Sequence, residues 1–246
     1  MAGRPLRSDA QRLTENELLA KLQSFGLDLD RPSLERLSKQ ALSAEEIGKP
    51  LLDQHTFKSQ REERERDWIW ICLVTLWQRW FPDEPSFEGL DDKMQAGYEL
   101  LASRGATAAC RPWLDAWAEV LRLLDKGGLQ SISEFDERFR GSQSLFNWIQ
   151  DLEQELWNAG LEEQPFLTAR IALCEEALRR FGSDDELMTE NWRRALAALE
   201  PFHQFHQPLG ASLLRAPSRL PFRHPAPRLT TILLKRKGMR SPIQKP

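Results

Sequence analysis

The residues best placed to do chemistry are Asn147, Asp151, Glu155 and Asn158, which recur at spacings of four, four and three. On a helix that spacing sets amides and carboxylates in one stripe, opposite Leu145, Ile149, Leu152 and Leu156. Such a stripe is either a solvated polar face or the lining of a groove that clamps an extended peptide and its basic side chains. A catalytic carboxylate pair is the third reading, but nothing in the pattern marks which acid would hold a proton. Asp91 and Asp92, ahead of Gln95 and Tyr98, repeat the same chemistry one segment earlier. The candidate binding residues are therefore Asn147, Asp151, Glu155, Asn158, Asp91 and Gln95, with no catalytic residue assigned.

Other reactive types are sparse. His203 and His206 have helical ligand spacing but lie among Phe and Gln residues without a nearby thiol or carboxylate, and His55 and His224 are isolated. Cys72, Cys110 and Cys174 are far apart, each inside an apolar pattern, which suits buried reduced thiols in a reducing cytoplasm better than a disulfide framework. The sequence has no phosphate-cradling glycine loop, nucleophile elbow or HExxH. No metal or cofactor is expected. The nine Trp invite a base-stacking platform, but most recur beside Leu and Ile, as at Trp113 and Trp117, and read as core.

The elements that carry these residues are helical. Few residues are β-branched, 29% are charged, and there is one Tyr. Thr14 with Glu17 forms a capping box for a helix closing at Gly26, and Ser43 with Glu46 forms another, whose helix Pro50 is expected to stop or kink. These N-terminal helices, within residues 11–57, read as small and peripheral. From about Lys58 a charged stretch, with Arg61/Glu65 and Glu62/Arg66 pairs, leads into WIWICLVTLW at 68–77. That run lacks a polar face and should be the central helix; at ten residues it is about half a membrane span.

Two hairpins come next along the chain. One helix runs from Ser86 to Gly105 and its neighbour from about Thr107 to Asp125. After a short segment capped by Ser131 and Glu134, helices are expected at 142–158 and 163–181. A third unit starts at Leu187 and meets Pro201 before a second helix. Hairpins of about forty residues with short joints suggest a tetratricopeptide-like solenoid, an irregular bundle being the alternative. The fold class is all-α, with a helical domain at 11–200 whose core hairpins span 58–200.

The composition breaks near residue 200. Residues 1–200 hold all 37 acids and 25 of the 34 bases, a net −12, whereas 201–246 hold nine bases and no acid. That tail contains eight of the fifteen Pro, and Pro217, Pro221, Pro225 and Pro227 exclude a continuous helix. It is either a basic arm for nucleic acid or an acidic partner, built on Arg215, Arg219, Arg223, Arg228 and Lys235 to Lys237, or an out-of-register translation.

The strings DWIWIC at 67–72, LDDKMQAGY at 90–98, FNWIQDLE at 146–153 and ELWNAG at 155–160 together resemble a family of uncharacterised bacterial helical-repeat proteins. Some members carry a SEC-C zinc-binding motif. The resemblance covers roughly residues 60–199 and implies a helical fold without a known reaction. In that family the helix matching ENWRRAL at 190–196 continues into further helices, which the present sequence replaces by its Pro-rich tail. The four closely spaced Cys or His ligands that SEC-C zinc requires are also missing.

The expected function is a non-enzymatic, cytoplasmic scaffold for a protein or peptide partner, without membrane association. A nucleic-acid accessory acting through the tail and a carboxylate-dependent hydrolase are the alternatives. Translating the neighbouring frame beyond Glu200 tests the out-of-register reading: a continued helical pattern is expected there, and its absence sinks the idea.

Overall fold

The computed structural model describes residues 5–54, 66–183 and 186–198. The described residues form eleven helices and no strand, and no helix among them is long and apolar enough to cross a membrane. The tail at 201–246 lies outside the described residues, as do the Arg61/Glu65 and Glu62/Arg66 pairs and all four histidines.

Four short helices come first: α1 (Arg7–Gln11), α2 (Glu15–Ser24), α3 (Arg31–Ser38) and α4 (Ala44–Gln54). Thr14 Oγ1 accepts from the Glu17 amide while the Glu17 carboxylate accepts from the Thr14 amide, completing the expected capping box. Pro50 neither stops nor ends α4, which continues to Gln54. Pro50 is exposed, so water can take the Glu46 carbonyl that its missing amide leaves free.

These helices are not peripheral. They pack around α5 (Asp67–Trp80), burying Leu18, Leu22, Leu34 and Ile47 against Ile69, Ile71, Leu73 and Leu76. The apolar helix is therefore the axis of one core cluster rather than the centre of the whole domain. Its all-round apolarity needs cover on every side, and four short helices supply it. Trp68 and Trp70 are only half-buried, and Thr75 satisfies its hydroxyl by donating to the Ile71 carbonyl.

The second cluster runs through α6 (Phe87–Arg104), α7 (Ala106–Gly127), α8 (Ile132–Arg138), α9 (Leu145–Gly160), α10 (Pro165–Phe181) and α11 (Glu186–Ala197). Apart from the short α8, each helix packs on the next one along the chain. The joint between α6 and α7 is shorter than expected: Gly105 alone, at φ 84°, serves both helix ends. That left-handed conformation suits glycine. Gly97 allows α6 and α7 to approach closely, because a Cβ there would fall on the Trp113 indole. Trp113 donates its Nε1 hydrogen to the Met94 carbonyl at 3.0 Å and meets Tyr98 and Trp148 edge-on. Six of the nine tryptophans are buried, as a core reading requires, and all three cysteines are buried free thiols.

Gly97→Ala should destabilise the fold by about 1–3 kcal/mol in urea unfolding, since Trp113 must leave its place. Gly48→Ala, whose Cβ meets only the ends of the Leu73 and Ile69 side chains, at 3.3 and 3.6 Å, should change stability far less. Equal midpoints for the two variants would show that α6 and α7 do not approach this closely.

Candidate functional site

The candidate residues sit on α6, on α9 and along the connection that leads into α9. Ser86 caps α6, its Oγ accepting from the Gly89 amide at 3.1 Å, which sets Glu88, Asp91, Gln95 and Tyr98 along successive turns. Ser144 caps α9 through the Asn147 amide, and Asp136 on α8 accepts from the Leu145 amide at 2.6 Å. Those two caps fix the register of Asn147 and Asp151.

Three of the six expected binding residues are brought together in a polar seam. Asp91 Oδ1 accepts from the Ser142 amide at 2.8 Å and from its hydroxyl at 2.6 Å, and Gln95 donates to the same hydroxyl oxygen. Asp151 accepts from the Tyr98 hydroxyl at 2.5 Å. Burial and the Asp151 carboxylate together push the Tyr98 phenol well above its ordinary value. Glu155 and Asn158 pair with each other on α9 at 3.0 Å, while Asn147 stands exposed. The stripe is therefore not a uniform ridge: Asp91, Gln95 and Asp151 are already engaged in holding α6 to α9 and its preceding loop.

At its Asp91 end the seam opens into a cavity of about 200 Å³, lined among others by Arg7, Trp70, Glu88, Asp91, Arg138 and Arg140. Arg7 makes two hydrogen bonds to the Asp92 carboxylate, at 2.6 and 2.7 Å, and Arg138 is held by Glu46 at 2.6 Å. Arg140 is the loosest of these cations, its side chain 74% exposed and 3.9 Å from Glu45. Glu88 is the unusual member. Its Oε1 accepts from the Trp70 indole at 3.1 Å and from the Glu45 amide at 3.2 Å. Its Oε2 is buried and has no hydrogen-bond partner among the described residues.

Burial pushes the Glu88 carboxyl above its ordinary 4.5, outweighing its own backbone amide, the Trp70 indole and the Ala44 and Glu45 amides, which favour the charged form. A buried polar atom left without a partner costs about 1–3 kcal/mol, so one that persists in a cleft marks a candidate binding group. Sequence reasoning missed Glu88, Arg7, Trp70, Arg138 and Arg140. Glu88 meets Glu45 across 43 positions and Arg7 meets Asp92 across 85, and no local spacing announces contacts of that range. Among the described residues no three His, Cys, Asp or Glu side chains cluster to hold a metal ion.

Because the folded state holds the Glu88 proton more tightly than the unfolded chain, this group favours folding at low pH. Its contribution is full below 4.5 and is lost as pH rises through the folded value. Glu88→Gln cannot ionise and escapes that loss. Its unfolding midpoint relative to the unsubstituted protein should therefore rise between about pH 4 and about pH 7; a flat or falling difference would overturn the assignment. Comparisons with protein-family models, with curated proteins and with solved structures return no match for this chain.

Proposed function

We propose that the chain is a non-enzymatic helical scaffold, with its hairpins as units of a tetratricopeptide-like solenoid, and that the cleft around Glu88 receives a peptide segment of a partner protein. The observation that carries this reading is the buried, unpartnered Oε2 of Glu88 in a cleft with as many basic as acidic side chains among its lining: Arg7, Arg138 and Arg140 against Glu45, Glu88 and Asp91. A balanced lining has no preference for a phosphate or another bare anion. A polypeptide backbone offers donors and acceptors in alternation, which suits Glu88 as acceptor and the loosely held Arg140 as donor. The volume of about 200 Å³ is below the range of ordinary small-molecule pockets and matches a single side chain with its adjoining main chain.

The resemblance of the strings at 67–72, 90–98, 146–153 and 155–160 to bacterial SEC-C-related helical-repeat proteins is in keeping with the same scaffold reading. A hydrolase reading has one specific support, the raised pKa of Glu88 beside Asp91 in the same cleft. Against it, Asp91 Oδ1 is occupied by both donors of Ser142, which leaves a poorly placed base.

Selection of a random heptapeptide library on the full chain tests the proposal. Enriched peptides should bind the unsubstituted protein and lose about tenfold in affinity on Glu88→Gln with Asp91→Asn. Failure to enrich any peptide, or unchanged affinity in the double variant, would refute it.

A further inference from the structure

A second cavity, of about 420 Å³, lies where α9, α10 and α11 meet, and it differs in chemistry from the Glu88 cleft. On its α10 side stands Arg170, 9% exposed. Its Nε donates to Glu153 Oε1 at 2.6 Å, its Nη2 reaches the same oxygen, and its guanidinium carbon lies 4.8 Å from the Trp157 ring centre. One ion pair and one stacked ring thus fix the plane of the guanidinium. Its Nη1 is buried and has no acceptor among the described residues. A guanidinium cannot shed its proton, so this donor can be satisfied only by something that brings an oxygen to it.

The rest of the lining suits such an oxygen. Gln154 on α9 and Asn191 and Arg194 on α11 are exposed polar residues at the cavity, and Arg194 is 70% exposed beyond its bond to Glu190. The lining holds two arginines and one acid, Glu153, and Glu190 is bonded to Arg194 in an exposed pair that a ligand carboxylate can replace. Met188 and Trp192 give the cavity an apolar wall.

We infer that this cavity binds the side-chain carboxylate of a glutamate in a partner polypeptide, with Arg170 as its buried anchor. The carboxylate meets Nη1 of Arg170 and the guanidinium of Arg194, charge-assisted bonds stronger than those a neutral amide can make. The methylene groups lie on Met188 and Trp192, and the carboxamides of Gln154 and Asn191 take the flanking main chain. Because Nη1 is buried, the ligand must displace whatever side chain covers it. The occupant's nature rests on the scaffold reading; the site itself stands on Arg170.

Two hexapeptides capped at both ends, identical except for one central Glu or Gln beside a Leu, test the inference on the full chain by two-dimensional NMR. The Glu peptide should bind at least about fivefold more tightly than its Gln counterpart and should shift the Trp192 indole signal. Arg194→Glu should abolish that preference, and Arg170→Lys, which keeps the charge but loses the planar fork, should weaken it by about fivefold while the circular dichroism spectrum stays unchanged. Equal affinity for the two peptides, or a Glu preference that survives Arg194→Glu, overturns the site. So does tighter binding of a Gln peptide with a free C-terminus, which would assign the cavity to a chain end. If peptides selected on the Glu88 cleft bind while the Glu hexapeptide does not, this inference alone falls; if neither binds, the scaffold reading falls with it.

Discussion

The indole of Trp113 occupies the space that any side chain at position 97 would need, and much of the second core cluster is arranged around that contact. Gly97 lets α7 press onto α6, the indole hydrogen is absorbed by the Met94 carbonyl, and the ring edges of Tyr98 and Trp148 close on either side. Tyr98 is thereby held where its hydroxyl reaches Asp151, and Trp148 carries α9 into the same cluster. A close helix pair, three aromatic rings and one polar cross-link are consequences of one missing side chain.

Leu42, from the joint between α3 and α4, is buried in the second core cluster, and polar contacts supplement that apolar link between the two clusters. Lys126, at the end of α7, donates to the Ser38 carbonyl and to Glu84 at 2.6 Å each and lies 5.3 Å from the Trp77 ring centre. The Phe87 amide donates to the Leu42 carbonyl at 2.7 Å, and Arg138 reaches back to Glu46. The cleft around Glu88 lies along this same junction, between helices of both clusters. Polar groups at this junction lie outside the apolar packing of either cluster, and the buried, unpartnered Oε2 of Glu88 is one of them.

Local structure was largely legible because local rules set it. Thr14 and Ser131 each accept from an amide three residues on, as their capping boxes foretold, and α6 starts after Ser86 and ends at Gly105 as expected. The burial of Trp113, Trp148 and Cys110 followed from helical spacing alone. The features that escaped all depend on distant partners. WIWICLVTLW announced that it needed cover but not that α1 to α4 would provide it. Asp91 and Asp151 looked like a free ridge because Ser142 and Tyr98, which engage them, cannot be assigned across 51 and 53 positions. Glu88 and Arg170 carry no sequence signal, since an acid near a helix start and an arginine in a helix are ordinary until the surrounding helices bury them.

The three cysteines divide between the clusters, with Cys72 in the one built on α5 and Cys110 and Cys174 in the other. Burial holds each thiol up at about 12, so none is a thiolate at neutral pH while its cluster is closed. Each becomes an ordinary nucleophile only when the helices over it part. The protein thus carries an internal clock for each half: the rate at which Cys72 is alkylated measures the opening of the N-terminal helices, and the rates at Cys110 and Cys174 measure the opening of the hairpins.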